Sequence, residues 1–298
     1  MSQQITKILH FSDIHIGFNF KKLRPHTVLN KRAIGIVNLI RGRARYFDDA
    51  IVKMEALVRF KQKHNIDIVI NTGDYTALGL EHELEVARAC VEPLMHPLDR
   101  YVTVPGNHDI YVLEANSHYR FSANFCNVLH SDMPQYCQKG HWPLIRLIND
   151  DIAIIALNSA KPNPYPWRSD GHIPTIQLNA LKDILKDKQI KDRFVFVITH
   201  YAPRLANGQP DTHLHGLHNA DEFLEICKDI NKGAILFGHI HKTYRVKLDT
   251  LKSELFCAGS ATMDEREGAW MYELNKNHTL VAKQLFWDGK EYRIKYED

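Results

Sequence analysis

The chain has 298 residues, of which 44% are hydrophobic and 24% charged, as in globular proteins and unlike disordered or fibrous ones. Its formal net charge of +3 is too small to indicate nucleic-acid binding by itself. The five cysteines are odd in number and form no C-x-x-C pair, which argues against a zinc ribbon or a disulfide framework and favours a reducing compartment.

The beginning of the chain, "MSQQITKILHF", lacks an apolar core long enough for a signal peptide. The longest apolar runs, such as "IAIIAL", cover about six residues, far fewer than a membrane span requires. We therefore expect a cytoplasmic protein. A peripheral contact with the inner face of an anionic membrane stays open at this stage.

Short β-branched runs alternate with amphipathic segments along the first 240 residues. Six runs read as strands: "ITKILHF", "DIVINT", "YVTVP", "IAIIALN", "FVFVIT" and "AILFG". Helical patterns lie between several of them, and the first, "FDDAIVKMEALVRFKQKH", places Ile51, Met54, Leu57 and Val58 on one face. Alternation of this kind predicts an α/β layered fold.

The last part of the chain, at about 244–298, is rich in strands and has no helical pattern. It contains "YRVKL", "ELFCAGSA", "AWMYEL" and "LVAKQLFW" as consecutive strands, which suggests a second, antiparallel sheet. We predict an α/β fold in which a two-sheet β-sandwich of mixed strands is flanked by helices. The prediction assigns residues 1–298 to a single domain.

An insertion at about 18–47 separates the first strand from the first clear helix, where about 2–6 residues would suffice. Within it, Leu29, Ala33, Ile36, Val37, Ile40 and Ala44 stand at helical spacing, and Lys31, Arg32, Arg41, Arg43 and Arg45 surround them. Three interpretations are open. The apolar stripe packs on the body beneath a solvated basic face, the segment contacts anionic lipid, or its cations steer a phosphorylated substrate.

Polar side chains follow five of the six predicted strands, directly beyond their carboxyl ends. They are Asp13 and His15, then Asp74, then Asn107, His108 and Asp109, then His200, and finally His239 and His241. Ligand sites of open α/β sheets form at this edge. We therefore expect these residues to converge on one polar site.

The donor types indicate metal binding. Two carboxylates, an amide oxygen and four imidazoles suit Mn, Fe or Zn, and the 18 histidines of the chain are many for its length. The donors are too numerous for one tetrahedral zinc but sufficient for two divalent ions about 3.5–4 Å apart, as used in displacement at phosphorus. The sequence therefore predicts two divalent metal ions of uncertain identity.

The ordered motifs D-x-H, G-D, G-N-H-D, a single H and G-H-x-H resemble those of the calcineurin-like metallophosphoesterases, over residues 8 to about 262. The resemblance implies a first metal held by Asp13, His15 and His241, a second held by Asn107, His200 and His239, and Asp74 bridging both. It implies that His108 contacts the phosphate and protonates the leaving oxygen, and that Asp109 orients this imidazole. The family's G-D-x-x-D motif ends here in Ala77, so one supporting carboxylate is missing.

Two further segments bear on the substrate. "PWRSDGHIPTIQLNAL" resembles the Gly-x-Ile…Gln-Leu segment of the bacterial cyclic-nucleotide-phosphodiesterase-like branch. The alternative is a loop that leads into an ordinary helix, with Gln177 exposed. "LANGQPDTHLHG" carries His213, His215 and His218, which we expect on a mobile rim rather than on the metals.

From these features we expect a dinuclear-metal-dependent phosphohydrolase, in first place a phosphodiesterase that acts on a nucleotide-like or other small phosphoester by in-line attack of a metal-bridging hydroxide. The alternative is a nucleotide-lipid pyrophosphohydrolase of the UDP-2,3-diacylglucosamine type at a membrane surface. A non-catalytic scaffold that retains the fold is disfavoured because all seven ligand positions are filled. A DNA nuclease is disfavoured because the chain offers no long basic track.

Overall fold

The computed structural model describes residues 5–23, 30–114, 117–138, 140–163 and 165–295. The strands in these ranges are β1 (Ile5–Phe11), β2 (Ile68–Asn71), β3 (Tyr101–Thr103), β4 (Leu144–Ile148), β5 (Ile152–Ala156), β6 (Phe194–Ile198), β7 (Gly233–Phe237), β8 (Thr243–Val246), β9 (Glu254–Ala258), β10 (Ala269–Asn275), β11 (Leu280–Trp287) and β12 (Tyr292–Ile294). The α-helices are α1 (Arg32–Ile40), α2 (Ala50–His64), α3 (Glu81–Val91), α4 (Ser117–Phe125), α5 (Thr175–Ile184) and α6 (Ala220–Cys227). In this part of the chain, no helix has the length and apolar character needed to cross a bilayer.

The strands form two six-stranded mixed sheets, ordered β12-β11-β10-β1-β2-β3 and β4-β5-β6-β7-β9-β8. In the first sheet β1, β2 and β3 are parallel, and β10 runs antiparallel beside β1. In the second sheet β5, β6, β7 and β9 are parallel, and β4 and β8 are antiparallel at the edges. The predicted fold class is confirmed.

The C-terminal strands do not form a sheet of their own, so that part of the prediction is wrong. β9 pairs in parallel with β7 in the second sheet, whereas β10 pairs with β1 in the first. Apolar patterning identifies a strand and its buried face, but it does not specify which strand lies beside it. β4 and α4 were not among the elements predicted from the sequence.

Alternate residues of the second sheet enter different cores, as the two-residue period of a strand requires. In β6, Phe196 packs in the core that also contains Ile8 of β1. Its neighbours Val195 and Val197 pack in another core with Leu181 of α5. The second sheet is therefore buried on both sides, which fits its nearly continuous β-branched and aromatic sequence.

The insertion does form a helix, α1, and Ile36 and Ala44 of the predicted apolar stripe pack against the body, but the other residues that face the body differ from the prediction. Arg32, Gly35 and Leu39 are buried, whereas Ile34, Val37 and Ile40 are 45%, 43% and 65% exposed. Gly35 explains this orientation, because a Cβ at this position would lie 2.5 Å from Leu78 Cδ2. The helix therefore lies against the body through its glycine face, and Leu29 lies outside the described residues.

The basic face of the insertion is not uniformly solvated. The Arg32 side chain is buried, where its guanidinium donates to Leu78 O (2.8 Å) and Gly79 O (3.2 Å) and pairs with Glu114. A buried guanidinium requires such partners, because an unpaired charge is costly away from water. In α2 the predicted face is also shifted: Met54 and Leu57 are buried, but Ile51 is 53% exposed.

Candidate metal centre

The predicted ligands lie in short loops at the carboxyl ends of strands from both sheets. The backbone of five of them is left-handed: φ is 54° at Asp13, 42° at His15, 58° at Asp74, 73° at His239 and 51° at His241. This conformation is unfavourable for residues other than glycine and is found where the surrounding structure enforces it. The loops of the first two strands are tied together by a bond from Asp13 N to Gly73 O (2.9 Å).

Two glycines of the motifs are required by close approach. A Cβ at Gly106 would lie 2.0 Å from Asp74 Oδ1, and a Cβ at Gly238 would lie 2.4 Å from Asp13 Oδ2. Any larger residue would displace the carboxylates. The glycines of "GNHD" and "GHIH" therefore set the position of Asp13 and Asp74.

One group of donor atoms comprises Asp13 Oδ1, His15 Nε2, His241 Nε2 and Asp74 Oδ2. His241 Nε2 lies 3.0 Å from Asp13 Oδ1 and 3.1 Å from His15 Nε2. His15 Nε2 lies 3.8 Å from Asp13 Oδ1 and 3.9 Å from Asp74 Oδ2. Ligands at about 2.1 Å from one tetrahedral ion lie roughly 3.4 Å apart, so this spacing fits a single divalent cation.

A second group comprises Asn107 Oδ1, His200 Nε2 and His239 Nδ1. His200 Nε2 lies 3.0 Å from Asn107 Oδ1, and His239 Nδ1 lies 2.9 Å from the same oxygen. His200 Nε2 also lies 3.4 Å from Asp74 Oδ2. Asp74 Oδ2 is therefore adjacent to donors of both groups.

Backbone carbonyls fix the outer nitrogen of three imidazoles. His15 Nδ1 donates to Thr76 O (2.8 Å), His200 Nδ1 to Thr72 O (2.8 Å), and His239 Nε2 to His215 O (3.0 Å). Such a bond selects the tautomer in which the other nitrogen is free to bind a metal. The fourth imidazole, His241, has its Nδ1 3.2 Å from Met263 Sδ.

Three of the donors have protonation states that suit metal binding. Burial by itself would raise the pKa of Asp74, but the nearby His200, His108 and His15 outweigh this effect and hold the pKa well below its usual range. Burial lowers the pKa of His15 to about 4, although Asp74 opposes this. Burial, with the neighbouring His215 and His200, also holds the pKa of His239 well below its usual range. At neutral pH the site therefore offers an ionised Asp74 and neutral His15 and His239 imidazoles, the forms that bind metals. His200 differs: burial by itself would lower its pKa, but Asp74 outweighs this effect and raises the pKa to about 9, so a bound cation would have to displace the proton.

The donor chemistry fits two divalent cations. Each group combines oxygen with imidazole nitrogen, the mixture that suits Mn, Fe or Zn. Asp13 Oδ1 is buried and accepts no hydrogen bond of proper geometry from the described residues. A buried carboxylate oxygen without a partner is costly in free energy unless a cation binds it.

The expectation that Asp109 orients the His108 imidazole is wrong. His108 Nδ1 donates instead to Ala77 O (2.6 Å), while Asp109 accepts hydrogen bonds from the amides of Gly106 (2.8 Å), Asp74 (3.0 Å), Tyr75 (2.9 Å) and Thr76 (3.1 Å). Four converging amides draw the carboxylate away from the ring. Asp109 thus joins the Asp74 loop to the Gly106 loop, and a backbone carbonyl orients His108.

Two expectations from the flanking segments also change. Gln177 is buried rather than exposed, accepting a bond from Asn158 N (3.0 Å) and donating to Asn158 O (3.2 Å). Of the rim histidines, His215 lies closest to the site: its carbonyl binds His239, and its Nδ1 lies 2.5 Å from Asp211 Oδ2. Asp211, His215 and His239 offer donor atoms close enough to hold an ion, which the sequence analysis did not anticipate.

A cleft of about 550 Å³ opens over both donor groups. Its walls include residues that sequence reasoning did not place there or could not assign, namely Lys31, Arg43, Tyr111, Trp167, Arg168 and Arg266. Tyr111 stacks on His108 with ring centroids 5.2 Å apart, and Lys31 Nζ lies 4.7 Å from the Tyr111 ring centroid. The basic composition of 29–47 was the one available signal for Lys31 and Arg43.

Known structures share this fold. A dimetal phosphatase from Danio rerio is 12% identical and superposes with a TM-score of 0.62 over 97% of this chain and 98% of its own. A purple acid phosphatase from yellow lupin (Lupinus luteus) seeds is 13% identical, with a TM-score of 0.59 over 98% of this chain and 53% of its own, so this chain spans about half of it. GAP50, the anchor in the inner membrane complex of Plasmodium, is 12% identical, with a TM-score of 0.51 over 98% of this chain and 90% of its own.

At these identities the structural likenesses establish the fold alone. No curated protein matches the chain by sequence. The family model for the calcineurin-like phosphoesterase domain, however, matches residues 6–243, more than half of the sequence, and this range contains every motif residue of the two donor groups. The chain therefore belongs to the calcineurin-like phosphoesterase family, whose reaction class is the hydrolysis of phosphoric esters.

Proposed function

We propose that the protein is a dinuclear-metal-dependent phosphodiesterase that acts on nucleotide-like phosphodiesters. Asp13, His15 and His241 would hold one divalent cation, Asn107, His200 and His239 would hold the other, and Asp74 would offer its carboxylate to both. The single observation that carries the proposal is the position of Asp74 Oδ2, 3.9 Å from His15 Nε2 and 3.4 Å from His200 Nε2. One carboxylate oxygen between two donor groups is the arrangement that a metal pair requires.

Bound divalent cations of this kind supply Lewis acidity at the phosphoryl oxygens and activate water for attack at phosphorus. The protein's own contribution beyond the ligands centres on His108, whose Nδ1 donates to Ala77 O and whose ring lines the cleft. Its Nε2 is therefore the nitrogen available to a phosphate. Burial, followed by the charges of His15 and Arg43, lowers the pKa of His108, whereas Asp74 opposes this. Protonation of Nε2 accordingly depends on the negative charge of a bound substrate.

A flat aromatic surface supports the nucleotide-like class. Trp167 lines the cleft, is 67% exposed, and stacks on Tyr165 with ring centroids 5.2 Å apart at an angle of 20°. Exposed aromatic rings beside a phosphate-binding site are suited to stacking on a nucleobase. Neither ring belongs to the donor groups of the metal centre. We therefore propose that Trp167 contacts the base of the substrate, the part that does not react.

The metal assignment is tested by Asn107→Ala and His239→Ala. We expect both variants to lose turnover of bis(p-nitrophenyl) phosphate and to bind less metal, because each removes one donor of the second group. Activity assays and elemental analysis of protein purified without chelators measure the two effects, with His96→Ala, an exposed histidine, as the control. Full activity of a chelated, metal-free sample would contradict the mechanism.

The role of His108 is tested by His108→Ala. We expect the metal content to be retained and kcat to fall roughly 10²–10⁴-fold, the usual range for an acid–base group. The metal content is retained because the His108 imidazole belongs to neither donor group. Stopped-flow or steady-state rates on the same phosphodiester provide the measurement, and an unchanged rate removes His108 from the catalytic residues.

The role of Trp167 is tested by Trp167→Ala. Loss of base stacking, worth about 1–3 kcal/mol, should raise KM for thymidine 5′-(p-nitrophenyl phosphate) roughly 5- to 150-fold. KM for methyl p-nitrophenyl phosphate, which has the same leaving group and no base, should change little. Tyr119→Ala removes an aromatic ring that is 70% exposed outside the cleft lining and serves as the control. An equal change of KM for both substrates would exclude a stacking role.

A second candidate is the nucleotide-lipid pyrophosphohydrolase at a membrane surface, and the exposed side of α1 favours it. Val37 and Ile40 are exposed, while Asn38 of the same helix lines the cleft. Apolar residues with a nearby cation, Arg41, suit contact with anionic lipid.

Co-sedimentation with phosphatidylglycerol vesicles separates the two candidates. For a phosphodiesterase with a soluble substrate, we expect the wild-type protein and Ile40→Asp to remain in the supernatant alike. Vesicle binding that Ile40→Asp abolishes, with Ile176→Asp as an exposed control on α5, would favour the lipid substrate instead.

A further inference from the structure

Two arginines of the cleft have no counter-ion among the described residues. Arg43, which is half-buried, and Arg266, which is exposed, both line the cleft with the metal-binding donors. Neither side chain forms a hydrogen bond or an ion pair with the residues that the structure describes. A partly buried guanidinium with five free donors, facing a cleft, is a site prepared for an anion.

The two arginines belong to neighbouring segments. Asp264 N donates to Tyr46 O (2.8 Å), which joins the loop of Arg266 to the short helical turn Arg43–Phe47 of the insertion. Phe47 of the same turn lies against His15, with ring centroids 5.2 Å apart, so the turn that carries Arg43 borders the metal-binding donors. Arg43 therefore lies on a turn that borders the reacting centre, and Arg266 lies in a loop that is joined to this turn.

Two of the acidic residues near Arg266 in the sequence, Asp264 and Glu267, pair with Lys53. Lys53, which is buried, bonds to Thr262 O (3.0 Å), pairs with Asp264 and lies 2.7 Å from Glu267 Oε1. Both of these carboxylates are thus directed to Lys53, and the exposed Glu265 forms no ion pair with Arg266 in the part of the chain that the structure describes. Asp13 and Asp74, for their part, face the metal-binding donors. The positive charge of Arg43 and Arg266 is left for a ligand.

The side chains of the other two cations of the cleft, Lys31 and Arg168, have partners within the protein. Arg168 Nε lies 2.6 Å from Asp170 Oδ1, so its charge is compensated within the protein. Lys31 Nζ donates to Arg168 O (2.8 Å) and lies over the Tyr111 ring. These contacts fix Arg168 and Lys31 in the wall, whereas Arg43 and Arg266 keep their guanidinium groups free.

We propose that Arg43 and Arg266 form a second anion subsite, which binds a phosphate group of the substrate other than the one that is hydrolysed. The inference rests on the proposed function, and it narrows the substrate class to phosphodiesters that carry a second phosphate. A simple cyclic or dialkyl phosphodiester has a single negative charge, which the metal centre and His108 already address. Guanidinium groups bind a phosphate in a bidentate manner, which gives both affinity and orientation.

Three phosphodiesters with the same leaving group test this subsite. They are p-nitrophenyl phosphorylcholine, which adds a cation, thymidine 5′-(p-nitrophenyl phosphate), which adds no charge, and thymidine 3′-phosphate 5′-(p-nitrophenyl phosphate), which adds a phosphate. We expect kcat/KM of the wild-type protein to rise in that order. In Arg43→Gln and in Arg266→Gln, the ratio of kcat/KM between the third and the second substrate should fall about 10- to 100-fold, as expected for loss of a charge-assisted bond.

Matched variants separate the subsite from a general effect of charge. Arg45→Gln removes an exposed arginine of the same helical turn that does not line the cleft, and the ratio should stay at the wild-type value. Arg43→Lys should recover part of the ratio. An unchanged ratio in Arg43→Gln and Arg266→Gln, or an equal fall in Arg45→Gln, would overturn the proposal.

A binding measurement keeps this inference distinct from the proposed function. Calorimetric titration with thymidine 3′,5′-bisphosphate and with thymidine 5′-monophosphate needs no turnover. We expect the bisphosphate to bind more tightly to the wild-type protein and to lose that advantage in Arg43→Gln. If none of the three diesters is hydrolysed, the phosphodiesterase assignment fails, but the calorimetric preference still decides the subsite: its presence supports the subsite, and its absence overturns it.

Discussion

The Asp74 carboxylate is the constraint on which the rest of the site depends. It is buried, its Oδ2 faces donors of both groups, and its Oδ1 accepts a bond from His108 N at 2.7 Å. The neighbouring imidazoles, His200 foremost, hold the pKa of Asp74 low against the effect of burial and keep the carboxylate ionised. Gly106 permits the close approach of the next loop, and Asp109 binds the Asp74 amide. Any residue that shifts this loop therefore shifts both donor groups together.

The donor groups also span the seam between the two sheets. Asp13, Asp74 and Asn107 follow strands of the first sheet, whereas His200 and His239 follow strands of the second. The bond from His239 N to Asp13 Oδ2 (3.0 Å) and the contact of His200 with Asp74 cross that seam. The C-terminal strands lie on both sides of it, since β9 extends one sheet and β10 the other. Correct pairing of the tail is thus a condition for the site, although the tail supplies none of its donors.

Local sequence patterns were sufficient to predict most strands, the glycines of the turns and the polar residues that follow the strands. Strand runs, the glycines of the turns and the donor after each strand can be read directly, because parallel strands bring their carboxyl ends to one edge. Convergence of the seven donor residues follows from that rule; their assignment as metal ligands is our proposal. The partners of β9 and β10 could not be predicted, because strand pattern does not encode the neighbour.

The orientation of individual side chains could not be predicted from the sequence either. Asp109 stands beside His108 in the sequence, yet its carboxylate turns to four backbone amides, and Ala77 O takes the imidazole. Arg32 reads as part of a solvated basic face, yet Gly35 lets α1 approach the body so closely that the guanidinium is buried. In both cases hydrogen bonds to backbone groups determine where the side chain lies. Every residue carries these groups, so a sequence pattern, which describes side chains, does not reveal such bonds.

These backbone contacts join the insertion to the reacting centre. Arg32 binds the carbonyls of Leu78 and Gly79 in the loop that follows Asp74, while Thr76 O and Ala77 O of the same loop orient His15 and His108. One short segment therefore holds α1 on one side and two histidines of the centre on the other. Since α1 leads directly into the turn that carries Arg43, the loop that orients the reacting imidazoles also determines where the insertion presents its charge. The loop after Asp74 thus supports both the histidines of the reacting centre and the arginine that we propose for substrate binding, although these residues lie in separate parts of the sequence.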